Sequence, residues 1–389
     1  MKLRVAFIVI ISTFLLAIVV TATNTLGFDE FEQTEVKPID KSEFSDKSVK
    51  TSLTLNAVGD ILIHDRVYDG ARTDDGFDFK PMLEPIKPYL ENADLTFANQ
   101  ETILGGEELG LSGFPMFNSP FEVGDALKSA GVDIVSIANN HTIDRGAEAV
   151  YNATDYLNEI GIEYVGGYQS HEDANTKRIL HRNGISVGFL AYTYGTNGIP
   201  IPDGQDYLVN LIDIQQMTSD LQSIRDEVDF VVVSMHFGDE YEPLPNEEQI
   251  YLSQLLTSEG ADVILGHHPH VLQPIDWISA NGQDHFVIYS LGNFLSGQRG
   301  LDRQLGAISQ VELVKEISPN ETSLNVRNAK IMPTYNDHED HGDLMTNVQV
   351  VPLVEADQYG LEDAQGLFDE IAEHMQTYSS DVTIVPYLE

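Results

Sequence analysis

The chain has 389 residues, 62 acidic against 21 basic, and a formal net charge of −41. Such an excess excludes nucleic acid as a partner, because phosphate binding needs a basic face, and it fits a surface kept hydrated in salt. The chain has no cysteine, which excludes disulfides, thiolate zinc sites and cysteine nucleophiles. At 42% hydrophobic, it can bury a sizeable core.

Residues 1–27 read as a targeting segment: Lys2 and Arg4 precede an apolar run from Val5 to Val20. An uncleaved signal anchor is favoured over a removed signal peptide, since Val20-Thr21-Ala22 is a poor cleavage site. Either reading puts the remainder outside the cytoplasm, and the anchor reading gives a single-pass protein of the cell membrane. Residues 28–51 are charged and aperiodic, as in a solvated linker. The folded part is expected from Ser52. Leu53, Leu55 and Ala57 alternate with polar residues, and Val58-Gly59-Asp60 ends a strand.

The same pattern recurs down the chain. An apolar strand over 94–98 leads to Asn99-Gln100-Glu101, and one over 132–138 leads to Asn139-Asn140-His141 with Asp144 beyond it. A further strand runs from Ile185 to Tyr192. The strand over 230–235 leads to His236, then Glu240 and Tyr241. Ala261 to Leu265 leads to Gly266-His267-His268-Pro269-His270, and Phe286 to Tyr289 leads to Ser290-Leu291-Gly292-Asn293-Phe294. Helical spacing marks 121–130, 147–160, 212–227 and 247–258, with Gly131, Gly161 and Gly260 at the C-cap positions. Strands alternating with helices imply an α/β domain, whose sites form beyond the carboxyl ends of strands. After about residue 300, strands are expected over 307–314, 323–331 and 348–353. Domain limits of 52–355 follow, with a helical tail over 356–389 built on a helix from Tyr359 to Tyr378. His338, Asp340 and His341 read as a solvated loop.

One polar strand end is ordinary loop chemistry. Several that deliver Asp, Glu, Asn and His form a constellation. Asp60, His64, Glu101, Asn140, His236, His268 and His270 are the metal-ligand candidates. Oxygen and nitrogen donors without sulfur suit Mn, Fe or Zn, and this set is large enough for two ions about 4 Å apart. His141 is positioned to protonate a leaving group or bind substrate, with Asp144 beside it in the catalytic set. Asn99, His267, Glu240, Tyr241 and Asn293 are assigned to substrate binding. A metal-activated water is the expected nucleophile, since no serine or cysteine motif competes and no Gly-rich phosphate loop is present.

This motif series, running in order from Val58-Gly59-Asp60 to Ser290–Phe294 over about residues 53–300, resembles the CapA family of capsule biosynthesis proteins linked to poly-γ-glutamate. The resemblance implies a domain related to calcineurin-like metallophosphoesterases, a four-layer α/β/β/α sandwich with a di-metal site between loops. It also implies a catalytic role for His141. The chain departs from the wider phosphoesterase pattern in lacking Asp-x-His in the first motif, in carrying Asn99-Gln100-Glu101 where Gly-Asp-x-x-Asp is usual, and in stretching Gly-His-x-His to Gly266–His270. That stretch leaves the choice between His267 and His268 open. Two functions follow: a membrane-anchored metal-dependent hydrolase of a phosphoester or amide in an anionic polymer, or a non-catalytic polymer-binding component working with capsule synthase subunits.

Overall fold

Leu53, Leu55 and Ala57 do face one side of a strand, and the strand is longer than their alternation suggests. The computed structural model describes residues 48–389; the expected anchor and most of the expected linker lie outside the described residues. β1 (Val49–Leu62) begins inside the stretch read as linker, because Val49 to Val58 pair antiparallel with 308–317. β1 is followed by a small hairpin of β2 (Arg72–Thr73) and β3 (Gly76–Phe77), then by β4 (Leu95–Gln100), β5 (Ile134–Ser136) and β6 (Glu163–Val165). The strands β1, β4, β5 and β6 are parallel neighbours.

The chain then builds a second sheet from β7 (Arg178–Arg182), β8 (Ile185–Thr193), β9 (Phe230–His236), β10 (Val263–His267), β11 (Leu272–Ala280) and β12 (Gln283–Leu291), in the order β11-β12-β10-β9-β8-β7. Its four central strands are parallel, and both edges are antiparallel. The chain returns to the first sheet through β13 (Asn293–Ser296), β14 (Leu305–Ile317), β15 (Thr322–Asp340), β16 (Met345–Pro352) and β17 (Thr383–Ile384). Parallel strands need crossover helices, and the helices Gly146–Ile160, Ile214–Arg225 and Glu247–Ser258 serve here.

Three buried clusters set the layers. Val58, Ala98 and Val135 on the outer face of the first sheet pack with Leu127, Val150 and Leu157 of the helices Glu122–Ser129 and Gly146–Ile160. Leu55 and Phe97 from the first sheet meet Phe189, Val232 and Ile288 from the second in a sheet-on-sheet core. Val231, Val233 and Ile264 on the far face pack with Leu221 and Leu252 of the helices Ile214–Arg225 and Glu247–Ser258. The order is helix, sheet, sheet, helix. Strands buried on both faces read as continuous apolar runs, as Phe230–His236 does, with every residue buried.

The C-terminal segment departs from the expected tail. The helix is Ala364–Met375, shorter than 359–378. Gly360, at φ 94°, closes the preceding turn, and Asp363 caps the helix by accepting from the Gly366 N–H at 3.1 Å. Ala356, Ala364, Met375 and Val382 are buried in the inter-sheet cluster, and β17 pairs with β15. This segment therefore covers apolar surface between the sheets, and 355 marks no domain boundary.

Candidate metal centre

The site sits where the parallel strands of both sheets end. Gly59 lies at a register shift between β1 and β4. A Cβ there would lie 2.0 Å from the Gly292 carbonyl oxygen, so only glycine lets the two chains close. That approach puts Asp60 beside Asn99 and Asn293 in the sheet register. Glu101 follows β4, with its N–H donating to the Ile61 carbonyl at 3.1 Å. The loop after β5 is tight: Asn139 Oδ1 accepts from the His141 N–H at 2.9 Å. In the second sheet, His236 and His267 end adjacent strands in register.

The turn after β10 is strained. His268 has φ 97° and His270 φ 59°, both unusual for residues with a side chain. It is held by the Tyr241 N–H donating to Pro269 O at 2.8 Å, and by the His268 N–H donating to Asp60 Oδ2 at 3.3 Å. Strain of this kind, over-determined by its surroundings, clusters at functional sites.

Three overlapping groups converge: Asp60, Glu101 and His270; Glu101, His236 and His268; and Glu240, His268 and His270. His270 Nδ1 donates to Asp60 Oδ2 at 3.1 Å, and its Nε2 is 3.6 Å from Glu101 Oε1. His236 Nε2 is 2.9 Å from Asn140 Oδ1 and 3.6 Å from Glu101 Oε1. Asn99 Nδ2 donates to the other oxygen of Asp60 at 2.8 Å.

The electrostatics follow from burial. Burial pushes Glu101 well above the usual carboxylate range, and the charges of Asp60 and Glu240 act the same way. Burial would raise Asp60 too, but its contacts with His267 and His270 outweigh it and hold that carboxyl well below its ordinary value. Burial lowers His268 to about 3 and His236 well below normal, so both rings are neutral at pH 7. His270 is raised to about 9: burial opposes its charge, but Glu101 and Asp60 outweigh it.

The residues fit a metal. Both carboxylate oxygens of Glu101, Nδ1 of His268 and both ring nitrogens of His267 are buried without an aligned hydrogen-bond partner. Buried polar groups are normally satisfied, and each unsatisfied one costs about 1–3 kcal/mol. A divalent cation would satisfy Glu101 and His268 together, and the donor set of oxygen and imidazole nitrogen suits Mn, Fe or Zn.

The other expected residues fall in distinct places. His268 rather than His267 enters the ligand groups. His267 is wholly buried, with Nδ1 3.3 Å from Asp60 Oδ1 and its ring against Phe97. It supports Asp60 from behind, so a direct substrate contact is corrected to a positioning one. Asn99 and Asn293 are also fully buried and bond to Asp60 and His270, which makes them positioning residues too. Glu240 and Tyr241 stand at the exposed rim. His64 is outside the convergent groups found among the described residues. Its Nδ1 lies 3.3 Å from the Gly297 N–H and 3.1 Å from Leu62 O, with its ring edge-on to Phe117. His141 Nδ1 meets Asp144 Oδ2 at 2.7 Å, and that oxygen also accepts from the Phe117 N–H at 2.7 Å.

Sequence reasoning passed over Tyr194, whose ring lies 4.6 Å from that of His268, and Asn197, whose side chain accepts from Asn140 at 3.2 Å. Both follow β8, and their position at a strand end was the only available signal. Gln298 and Arg303 lie beyond the last motif.

The fold and site define a two-sheet α/β domain with a buried imidazole–carboxylate centre at its strand ends. The chain belongs to the family described as Bacterial capsule synthesis protein PGA_cap, whose model matches residues 54–298; this bears out the CapA resemblance and takes in the centre from Asp60 to Asn293. It is 29% identical over 269 residues to Capsule biosynthesis protein CapA of Bacillus anthracis, covering 67% of this chain and 64% of that protein. It is also 29% identical over 200 residues to PGA biosynthesis protein CapA of Bacillus subtilis (strain 168), covering 49% of each. The chain thus spans less than two thirds of the length of these relatives. Among solved structures, NAD nucleotidase of Haemophilus influenzae aligns with 88% of this chain and 58% of its own, at 11% identity and a TM-score of 0.45.

Proposed function

We propose that this chain is a membrane-held, extracytoplasmic hydrolase of capsule metabolism that cleaves a phosphoester or amide bond in an anionic polymer such as poly-γ-glutamate. The observation that carries the reading is the buried, unpartnered carboxylate of Glu101 among His236, His268 and His270. Asp60, Glu101, His236, His268 and His270 would hold two divalent ions, with Asn140 and Glu240 at the edges. Such ions supply Lewis acidity and lower the pKa of bound water.

The chain's own residues supply the rest. Asp144 bonds His141 Nδ1 at 2.7 Å, which fixes the ring and leaves Nε2 to give or take a proton at the leaving group. Asn197 Nδ2 lies 3.4 Å from the same nitrogen. Asn99 and His267 hold Asp60 in place from two sides. Support for the location comes from the basic residues Lys2 and Arg4 ahead of the apolar run, and capsule synthase subunits are the fitting partners.

The test is elemental analysis of the full chain purified without chelators, followed by assay against poly-γ-glutamate and an aryl phosphoester. About two equivalents of Mn, Fe or Zn are expected. Hydrolysis should be lost on chelation and in His268→Ala, with an unchanged circular dichroism spectrum. No bound metal after reloading would overturn the catalytic reading and leave the polymer-binding assembly role.

A further inference from the structure

The rim beside His270 carries a cation that the mechanism above does not use. Arg303 closes the short turn Leu301–Arg303. Its guanidinium carbon lies 4.6 Å over the Tyr241 ring, and that ring is 6.1 Å from the ring of His270. In a chain with 62 acidic and 21 basic side chains, a carboxylate is expected beside each arginine. Arg66, Arg72, Arg178, Arg182, Arg225 and Arg299 each have one; among the described residues Arg145 and Arg327 form no ion pair either, but Arg145 is bonded instead to the Leu109 and Gly110 carbonyls and Ser112 Oγ. Arg303 forms no ion pair among the described residues, although it sits at the edge of the site.

Its position is built by the same side chains that hold the centre. Asn293 Oδ1 accepts from His270 Nδ1 at 3.1 Å, while its Nδ2 donates to Arg303 O at 2.9 Å and to Gln298 Oε1 at 3.0 Å. Gln298 Nε2 then donates to the Tyr241 hydroxyl at 3.3 Å. A Cβ on Gly300 would stand 3.1 Å from Arg303 Nη2, so the missing side chain leaves room for the guanidinium. One asparagine thus ties a ligand histidine to the backbone of the arginine.

A guanidinium offers a planar fork that matches carboxylate or phosphate, and stacking on an aromatic face restricts its orientation. We propose that Arg303, laid on Tyr241, receives an anionic group of the substrate, holding one carboxylate of a polycarboxylate chain beside the bond presented at the His268–His270 centre. Arg303 is then a specificity-determining residue. This inference rests on the hydrolase reading of the centre and adds the chemistry by which the substrate is chosen.

The test is fluorescence anisotropy of a labelled poly-γ-glutamate oligomer on the full chain, with metal content measured in parallel. Arg303→Ala should weaken binding about tenfold, close to 1.4 kcal/mol. Arg303→Lys should lose less, since it keeps the charge without the fork. Arg303→Met, which keeps an apolar stem on Tyr241, should behave as Arg303→Ala. An oligomer with amidated side chains should bind weakly and equally to all variants, and Arg299→Ala should match wild type because Arg299 is already paired with Asp340 at 2.9 Å. Metal content should not change in any variant. Equal oligomer affinity in wild type and Arg303→Met, or no oligomer binding by wild type, would overturn the inference. Absence of metal would count against the hydrolase reading alone, and the comparison of affinities would still decide the role of Arg303.

Discussion

His270 sets the acid–base state of the centre. Its pKa of about 9, held up against burial by Glu101 and Asp60, means that it carries a proton at pH 7 in the metal-free protein. A metal ligand must be neutral, so binding expels that proton. Titration calorimetry at pH 7 in buffers of different ionisation enthalpy should show about one proton or more released per centre filled, and affinity should rise with pH up to about 9. No proton release would show that His270 is not a ligand. The sign for the metal-free fold is the opposite. A pKa raised from 6.5 to about 9 contributes stability that is present below 6.5 and lost as pH rises through 9. At this scale the sequence was informative about residue types and poor about register. Three imidazoles in Gly266–His270 marked a centre, but only the φ of 97° at His268 turns that ring, rather than the ring of His267, toward Glu101.

The strand ends place these residues, and Gly59 is where the placement is tightest. A Cβ there would meet backbone atoms of Gly292 and Leu291 at 2.0 and 2.8 Å, and backbone cannot rotate away as a side chain can. Gly59→Ala should destabilise the protein by about 3 kcal/mol or more, an extreme of overpacking, and should reduce metal content because Asp60 moves with it. Gly195→Ala, with nothing within 4 Å of its Cβ, should leave both unchanged. Urea unfolding with parallel metal analysis reads the difference, and equal stability of the two variants would remove the close approach as a constraint. Elements with local signals were legible. Asn246 and Gln249 form a capping box, and the helix Glu247–Ser258 falls where its spacing predicts. The elements after residue 300 were less so, because β15 and β17 owe their limits to pairing partners distant in sequence.

At the scale of the whole molecule, charge and core are set by different rules. The excess of 41 negative charges repels itself across the surface, and salt screens that repulsion within about 10 Å at 0.1 M. The melting temperature of the metal-free protein should therefore rise with sodium chloride between 0.05 and about 2 M; a flat profile would show that the acidic surface does not limit stability. No helix among the described residues is long and apolar enough to cross a membrane. Composition and period are local properties of a chain, so the sequence by itself determined the acidity, the absence of thiol chemistry, the α/β alternation, and the residue types that end the strands. It could not determine which of those residues meet. Asp60 touches His270 across 210 positions and Asn140 touches His236 across 96, and such contacts exist only once two sheets pack face to face. Tertiary structure alone brought His268 rather than His267 into the candidate ligand groups, placed Asn99, Asn293 and His267 behind those candidates, and set Arg303 on Tyr241, because each choice depends on a backbone turn or a neighbour that no nearby residue specifies.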